Sequence, residues 1–117
     1  MKSNLFIAAV LGSLLCRIVA PAFAQPVITV EPRSQFQWEN KRVSLNVAVT
    51  GVTPFTYQWQ FNGMAISEAT NRSFTVTSIQ LANSGSYQVI VANAGGVTTS
   101  QVARVTVRAW PQPDWFL

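Results

Sequence analysis

Tyr57-Gln58-Trp59-Gln60-Phe61-Asn62-Gly63-Met64-Ala65-Ile66 is the stretch on which the fold turns. Tyr57, Trp59 and Phe61 alternate with Gln58 and Gln60, so an extended chain places three rings on one face and two amides on the other. A helix would scatter the same residues around its axis. Asn62-Gly63 follows at once, and both residue types tolerate positive φ, which suits the centre of a two-residue hairpin turn. Met64-Ala65-Ile66 is then a short return strand, and the polar residues 67–72 form a loop.

The same period of two runs outward in both directions. Val27-Ile28-Thr29-Val30 is a first short strand, closed by Pro32. Val43, Leu45, Val47 and Val49 alternate with Ser44, Asn46, Ala48 and Thr50, the pattern of a half-buried strand. Gly51 and Pro54 end it. Phe74 and Val76 open the next strand, with Ile79 placed where the chain leaves the sheet. Tyr87, Val89 and Val91 alternate with Gln88, Ile90 and Ala92. Asn93-Ala94-Gly95-Gly96 makes a turn, and a final long strand runs from about Val97 to Val107, with Ala103, Val105 and Val107 in phase. No window sustains a helical period. Seven or eight strands in about 80 residues, with regularly spaced turns, predict an all-β sandwich of two packed sheets sharing one core.

The chain has 117 residues, 49% of them hydrophobic and 10% charged, with a formal net charge of +4. That length allows one domain. Much of the apolar content lies in residues 1–24, which have the organisation of a secretory signal peptide. Lys2 supplies the positive end, residues 5–16 are apolar, and Ala22-Phe23-Ala24 places small residues before Gln25. A membrane anchor is the rival, but a spanning helix needs roughly 20 apolar residues, and Arg17 and Pro21 interrupt this run. Lipid attachment at Cys16 would want a small residue where Leu15 stands. The expectation is export with cleavage after Ala24 and no membrane insertion afterwards.

Lys2 and Arg17 leave with the segment, so the mature chain keeps six of the eight basic residues and all four carboxylates, a net charge of about +2. Histidine is absent and Cys16 is the only cysteine, so the mature chain has no imidazole, thiol or disulfide. A nucleophile needs an adjacent base, and the serines lack the usual one. Glu31, Glu39, Glu68 and Asp114 fall on different elements, so no pair is placed for acid–base work. Zinc wants His or Cys, calcium wants clustered carboxylates, and six basic residues spread from Arg33 to Arg108 make no nucleic-acid stripe. No enzyme activity, cofactor, metal or nucleic acid is expected.

Three groups of residues resemble an immunoglobulin-like domain of the intermediate (I-set) type, over residues 26–108. Val43-Ser44-Leu45-Asn46-Val47 looks like the family's second strand, with Val47 where the first cysteine usually stands. Twelve residues on from Val47, Trp59 of Tyr57-Gln58-Trp59 looks like the buried core tryptophan. Asn83-Ser84-Gly85-Ser86-Tyr87-Gln88-Val89 matches the pattern Asp-x-Gly-x-Tyr-x-Cys, with Tyr87 as the tyrosine-corner residue and Val89 at the second cysteine. The resemblance implies a Greek-key sandwich of two antiparallel sheets, with Val47, Trp59, Gly85, Tyr87 and Val89 as its structural core. Tyr87 would bond to backbone, and Gly85 would serve a backbone conformation that a Cβ disfavours. Two valines replace both cysteines, as in immunoglobulin-like modules of bacterial secreted and surface proteins. Asn83 replaces the aspartate that usually pairs with an arginine, which leaves Arg72 to solvent.

Aromatic residues outside that core are the remaining lead. Trp38 sits in Gln35-Phe36-Gln37-Trp38, while Trp110, Trp115 and Phe116 sit in a tail whose prolines prevent helix. Trp38, Trp110 and Trp115 could contact a ligand by stacking on sugar rings or anchoring a protein interface. Alternatively, Trp38 and Trp110 cover the open end of the sandwich and residues 115–117 are the stub of a linker. The expected organisation is a signal peptide over 1–24, the domain over 25–108 and a tail over 109–117. The expected role is a secreted, non-enzymatic module acting by protein contact in adhesion or surface assembly, with glycan binding as the alternative.

Overall fold

The computed structural model describes residues 24–112. The expected signal segment up to residue 23, and Trp115 with its neighbours in the tail, lie outside the described residues.

Among the described residues ten strands follow one another: β1 (Val27–Val30), β2 (Gln35–Trp38), β3 (Val43–Asn46), β4 (Ala48–Thr50), β5 (Thr56–Phe61), β6 (Met64–Ala65), β7 (Ser73–Val76), β8 (Gly85–Asn93), β9 (Gly96–Thr99) and β10 (Ala103–Arg108). A single 3-10 turn, Leu81–Asn83, precedes β8. One layer has the order β2-β10-β8-β5-β6, with β9 also paired to β8. The other consists of the pairs β1-β4 and β3-β7. β3 and β4 are halves of one extended run interrupted at Val47, whose N–H donates to the Arg72 carbonyl at 3.2 Å. The architecture is the expected immunoglobulin-like sandwich. β2 alone pairs in parallel, with Gln35 to Trp38 beside Val105 to Arg108 of β10. After β1 the chain passes the buried Pro32 and changes layers, so β2 lies at the edge of the sheet opposite β1.

The core follows the alternation. Val43, Leu45, Val47, Trp59, Tyr87, Val89, Val91, Ala103, Val105 and Val107 are buried together with Ile79 and Ala69. Each fully buried Val or Leu stabilises the fold by roughly 1.5–3 kcal/mol. Trp59 is fully enclosed, packs near Phe74, and its indole N–H donates to the Asn71 carbonyl at 2.8 Å, so the burial leaves no polar atom unpaired. The Tyr87 hydroxyl donates to the Asn83 carbonyl at 2.7 Å, and burial pushes its phenol above the usual tyrosine pKa. In the β5–β6 hairpin Phe61 faces Met64 across Asn62 at φ 50° and Gly63 at φ 85°, the double positive φ that Asn-Gly accommodates.

Two expectations change. Gly85 serves space rather than an unusual backbone conformation. It stands inside β8, outside the positive-φ residues, and a Cβ there would lie 2.6 Å from a Phe61 ring carbon and 2.7 Å from Asn62 Oδ1. The final strand is also broken into β9 and β10. From Ile90 to Tyr87 β8 advances three residues while its partner advances four, from Thr99 to Ala103. The extra residue is a β-bulge at Ser100 to Val102. A one-residue slip exchanges faces, so Val97 is 55% exposed while Ala103, Val105 and Val107, which share its parity, are buried. Ser100 pins the bulge. Its N–H donates to the Val89 carbonyl at 2.9 Å, and its Oγ accepts from the Val89 N–H at 2.9 Å.

Candidate interaction surface

The alternation of Gln35-Phe36-Gln37-Trp38 decides which way β2 presents its rings. Gln35 Nε2 donates to the Ser44 carbonyl at 2.7 Å and Gln37 Nε2 to the Arg42 carbonyl at 3.1 Å. The two amides thus tie β2 to the opposite layer and close that side of the sandwich. Phe36 and Trp38, one residue out of step, turn outward. On β10 the buried Ala103, Val105 and Val107 alternate with Arg104, Thr106 and Arg108. The parallel register sets Thr106 beside Phe36 and Arg108 beside Trp38.

The chain past β10 adds a third ring. Trp110 stacks on Trp38 with centroids 4.9 Å apart and planes at 14°, and Phe36 meets Trp38 edge-on at 5.1 Å. Cations close both ends of this ladder: Lys41 Nζ lies 5.6 Å from the Trp110 ring centre, and the Arg108 guanidinium 5.9 Å from that of Phe36. Such contacts contribute about 0.5–1 kcal/mol each at exposed sites. Phe36 is 50% exposed, Trp110 46% and Trp38 partly covered. Further along, the Arg104 backbone N–H donates to Ser34 Oγ at 2.9 Å, and Ser34, Gln35, Phe36, Arg104 and Thr106 line an open hollow. Beyond β10 the strands β8 and β5 carry no charged residue, and Gln88 donates to Gln60 at 2.9 Å.

The structure therefore brings Trp38 and Trp110 together outside the core, and places Val47, Trp59, Tyr87 and Val89 inside it. Phe36, Lys41, Arg104 and Arg108 belong to the same surface but do not stand out in the sequence. The Phe36–Trp38 period of two is the one signal that could have found them. Elsewhere, a Glu31 carboxylate oxygen accepts the Gln101 N–H at 2.9 Å. Among the described residues, no group of three or more His, Cys, Asp or Glu could hold a metal ion. No helix among them is long and apolar enough to cross a membrane.

The sequence profile of the immunoglobulin domain matches residues 25–93, more than half of the chain. The chain belongs to the immunoglobulin domain family. No curated protein sequence matches it. Among solved structures it is similar to the titin I-band fragment I67–I69 (TM-score 0.68, 21% identity, 75% of this chain and 34% of that one). It is also similar to Sidekick-1 immunoglobulin domains 1–5 (0.67, 21%, 74% and 19%). The titin M10–obscurin-like 1 immunoglobulin complex is another match (0.68, 20%, 76% and 99%). The chain thus spans about a third of the titin fragment and a fifth of the Sidekick-1 chain. At these identities the likeness is one of fold.

Proposed function

We propose that this chain is a secreted, non-enzymatic immunoglobulin-like module of a bacterial surface system, acting by protein–protein contact in adhesion or assembly. The ladder of Phe36, Trp38 and Trp110, half-exposed and closed by Lys41 and Arg108, carries the proposal. Trp and Arg are the residue types that dominate binding energy in protein interfaces. The titin–obscurin-like 1 match is itself a complex of immunoglobulin domains, which is consistent with this use of the fold. Sugar binding, the second reading, needs a broad open ring face, and here the Trp38 face is covered by Trp110. Residues 1–24 as a cleaved signal, 25–108 as the domain and 109–117 as a tail belong to the same proposal.

Two measurements test it. Exported protein should begin at Gln25 on N-terminal sequencing, and a membrane-bound product retaining Met1 would refute secretion. A photo-crosslinking side chain at Thr106 should give a discrete, protease-sensitive adduct on the producing cells that disappears with Trp110→Ala. A glycan-array signal lost with Trp110→Ala, and no protein adduct, would move the assignment to carbohydrate.

A further inference from the structure

We infer that the β2–β10 face takes an acidic protein segment in extended conformation, its carboxylates on Arg104, Arg108 and Lys41 and its apolar side chains on Phe36 and Trp110. This rests on the protein-contact reading and names the chemistry of the partner.

Charge distribution is the first argument. β2, β5, β8 and β10, the strands that build this face, contain no Asp or Glu. Arg104 and Arg108 point outward from β10, and Lys41 caps the far end of the ring ladder. Of the carboxylates that follow or precede these strands, Glu31 is engaged with Gln101, and Glu39 stands just past the end of β2. Among the described residues the face is therefore cationic in excess: Arg104, Arg108 and Lys41 stand against Glu39 alone, whose N–H donates to the Arg108 carbonyl at 2.9 Å.

Spacing is the second. Arg104 and Arg108 are four residues apart on one strand, so their Cα atoms stand about 13 Å apart at a rise of roughly 3.3 Å per residue. One small anion does not match that separation. An extended segment lying along β10 has the same rise, so carboxylates at i and i+4 fall opposite the two arginines. A side chain at i+2 then faces the hollow between Phe36, Arg104 and Thr106. Each guanidinium is a planar fork suited to a carboxylate.

The rings decide between kinds of anion. A phosphate backbone or anionic membrane is bound by many cations, each contact adding salt dependence. Here two cations stand at the ends of a continuous run of three aromatic rings, with Arg104 further along β10, and two of the rings are about half exposed. Apolar area in that proportion is used when the partner brings apolar side chains of its own.

The test is an NMR titration of the isotope-labelled chain with an extended peptide carrying glutamate at i and i+4, valine or phenylalanine at i+2, and threonine between them, so that acidic and apolar side chains share one face. The same peptide with glutamine for glutamate, a heparin-derived oligosaccharide and phosphatidylglycerol vesicles serve as the other arms. Amide shifts should map to residues of β2 and β10 and to Trp110, and spare β3 and β7. Affinity should fall roughly tenfold when salt rises from about 0.02 to about 0.3 M. It should also fall at least tenfold in the double variant Arg104→Gln, Arg108→Gln, which stays folded and loses only a few degrees of thermal midpoint with the Arg108–Phe36 contact. Equal binding of the glutamine peptide, or preference for the oligosaccharide or the vesicles, overturns the inference. If acidic peptide does not bind but the Trp110-dependent protein adduct persists, the acidic chemistry falls and protein contact stands. Loss of both overturns both.

Discussion

Replacing Ser100 with alanine should destabilise the domain by about 1–3 kcal/mol, although the substitution removes one oxygen. Ser100 is a buried polar residue, and its Oγ makes two bonds, accepting from the Val89 N–H and donating to the Gln101 carbonyl, each at 2.9 Å. The two partners differ in environment. Gln101 is exposed, so water can replace the hydroxyl at its carbonyl. Val89 is fully buried, so its N–H is left in the core without an acceptor. The cost is therefore the desolvation penalty of one amide rather than the smaller net value of a hydrogen bond. For a domain of this size each kcal/mol lowers Tm by roughly 4–8 °C. Urea unfolding followed by near-UV circular dichroism reads the total, and hydrogen exchange at the Val89 amide reads its location. Ser100→Thr keeps the oxygen and should retain the protection of Val89. If Ser100→Ala unfolds within about 0.5 kcal/mol of the parent and Val89 exchanges no faster, backbone pairing alone holds the bulge and the argument fails.

Trp59→Ala should cost about 3–5 kcal/mol in urea titration, from a fully enclosed indole and its bond to Asn71; a loss under about 1 kcal/mol would remove it from the centre of the core. Gly85→Ala should cost about 1–3 kcal/mol, because its Cβ would meet the Phe61 ring at 2.6 Å. A smaller ring-side residue, Phe61→Leu, should relieve part of that cost, and strict additivity of the two would show that the ring is not the obstacle. Val47→Cys with Val89→Cys should form a disulfide on air oxidation, read by a free-thiol assay; two persistently reactive thiols would show that these buried positions do not face each other. Stability should fall as pH rises above 10.0, the ordinary tyrosine value. There the unfolded chain ionises while the buried Tyr87 phenol, its pKa raised, stays protonated. Tyr87→Phe should flatten that part of the slope, and an unchanged slope would place the titrating group elsewhere.

Local alternation and turn chemistry were enough to determine the class of fold, most of the strands and the core. Trp59, Tyr87 and Val89 are buried because each lies on the apolar phase of a period-two run, a property carried by a few neighbouring residues. The Asn62-Gly63 turn is equally local, since the two side chains decide which φ values are open. Three features needed the tertiary structure. β2 is a strand because β10, some seventy residues later, lies parallel to it, and no local period encodes a partner at that distance. The phase of β10 depends on a bulge whose oxygen bonds to a different strand, so continuing the alternation from Val97 assigns it the wrong face. The ladder of Phe36, Trp38 and Trp110, with Arg108 on Phe36 and Lys41 on Trp110, joins residues from the tail, β2, a turn and β10. Their proximity is set by how the chain changes layers at Pro32, which is a consequence of packing the two sheets and not of any one segment.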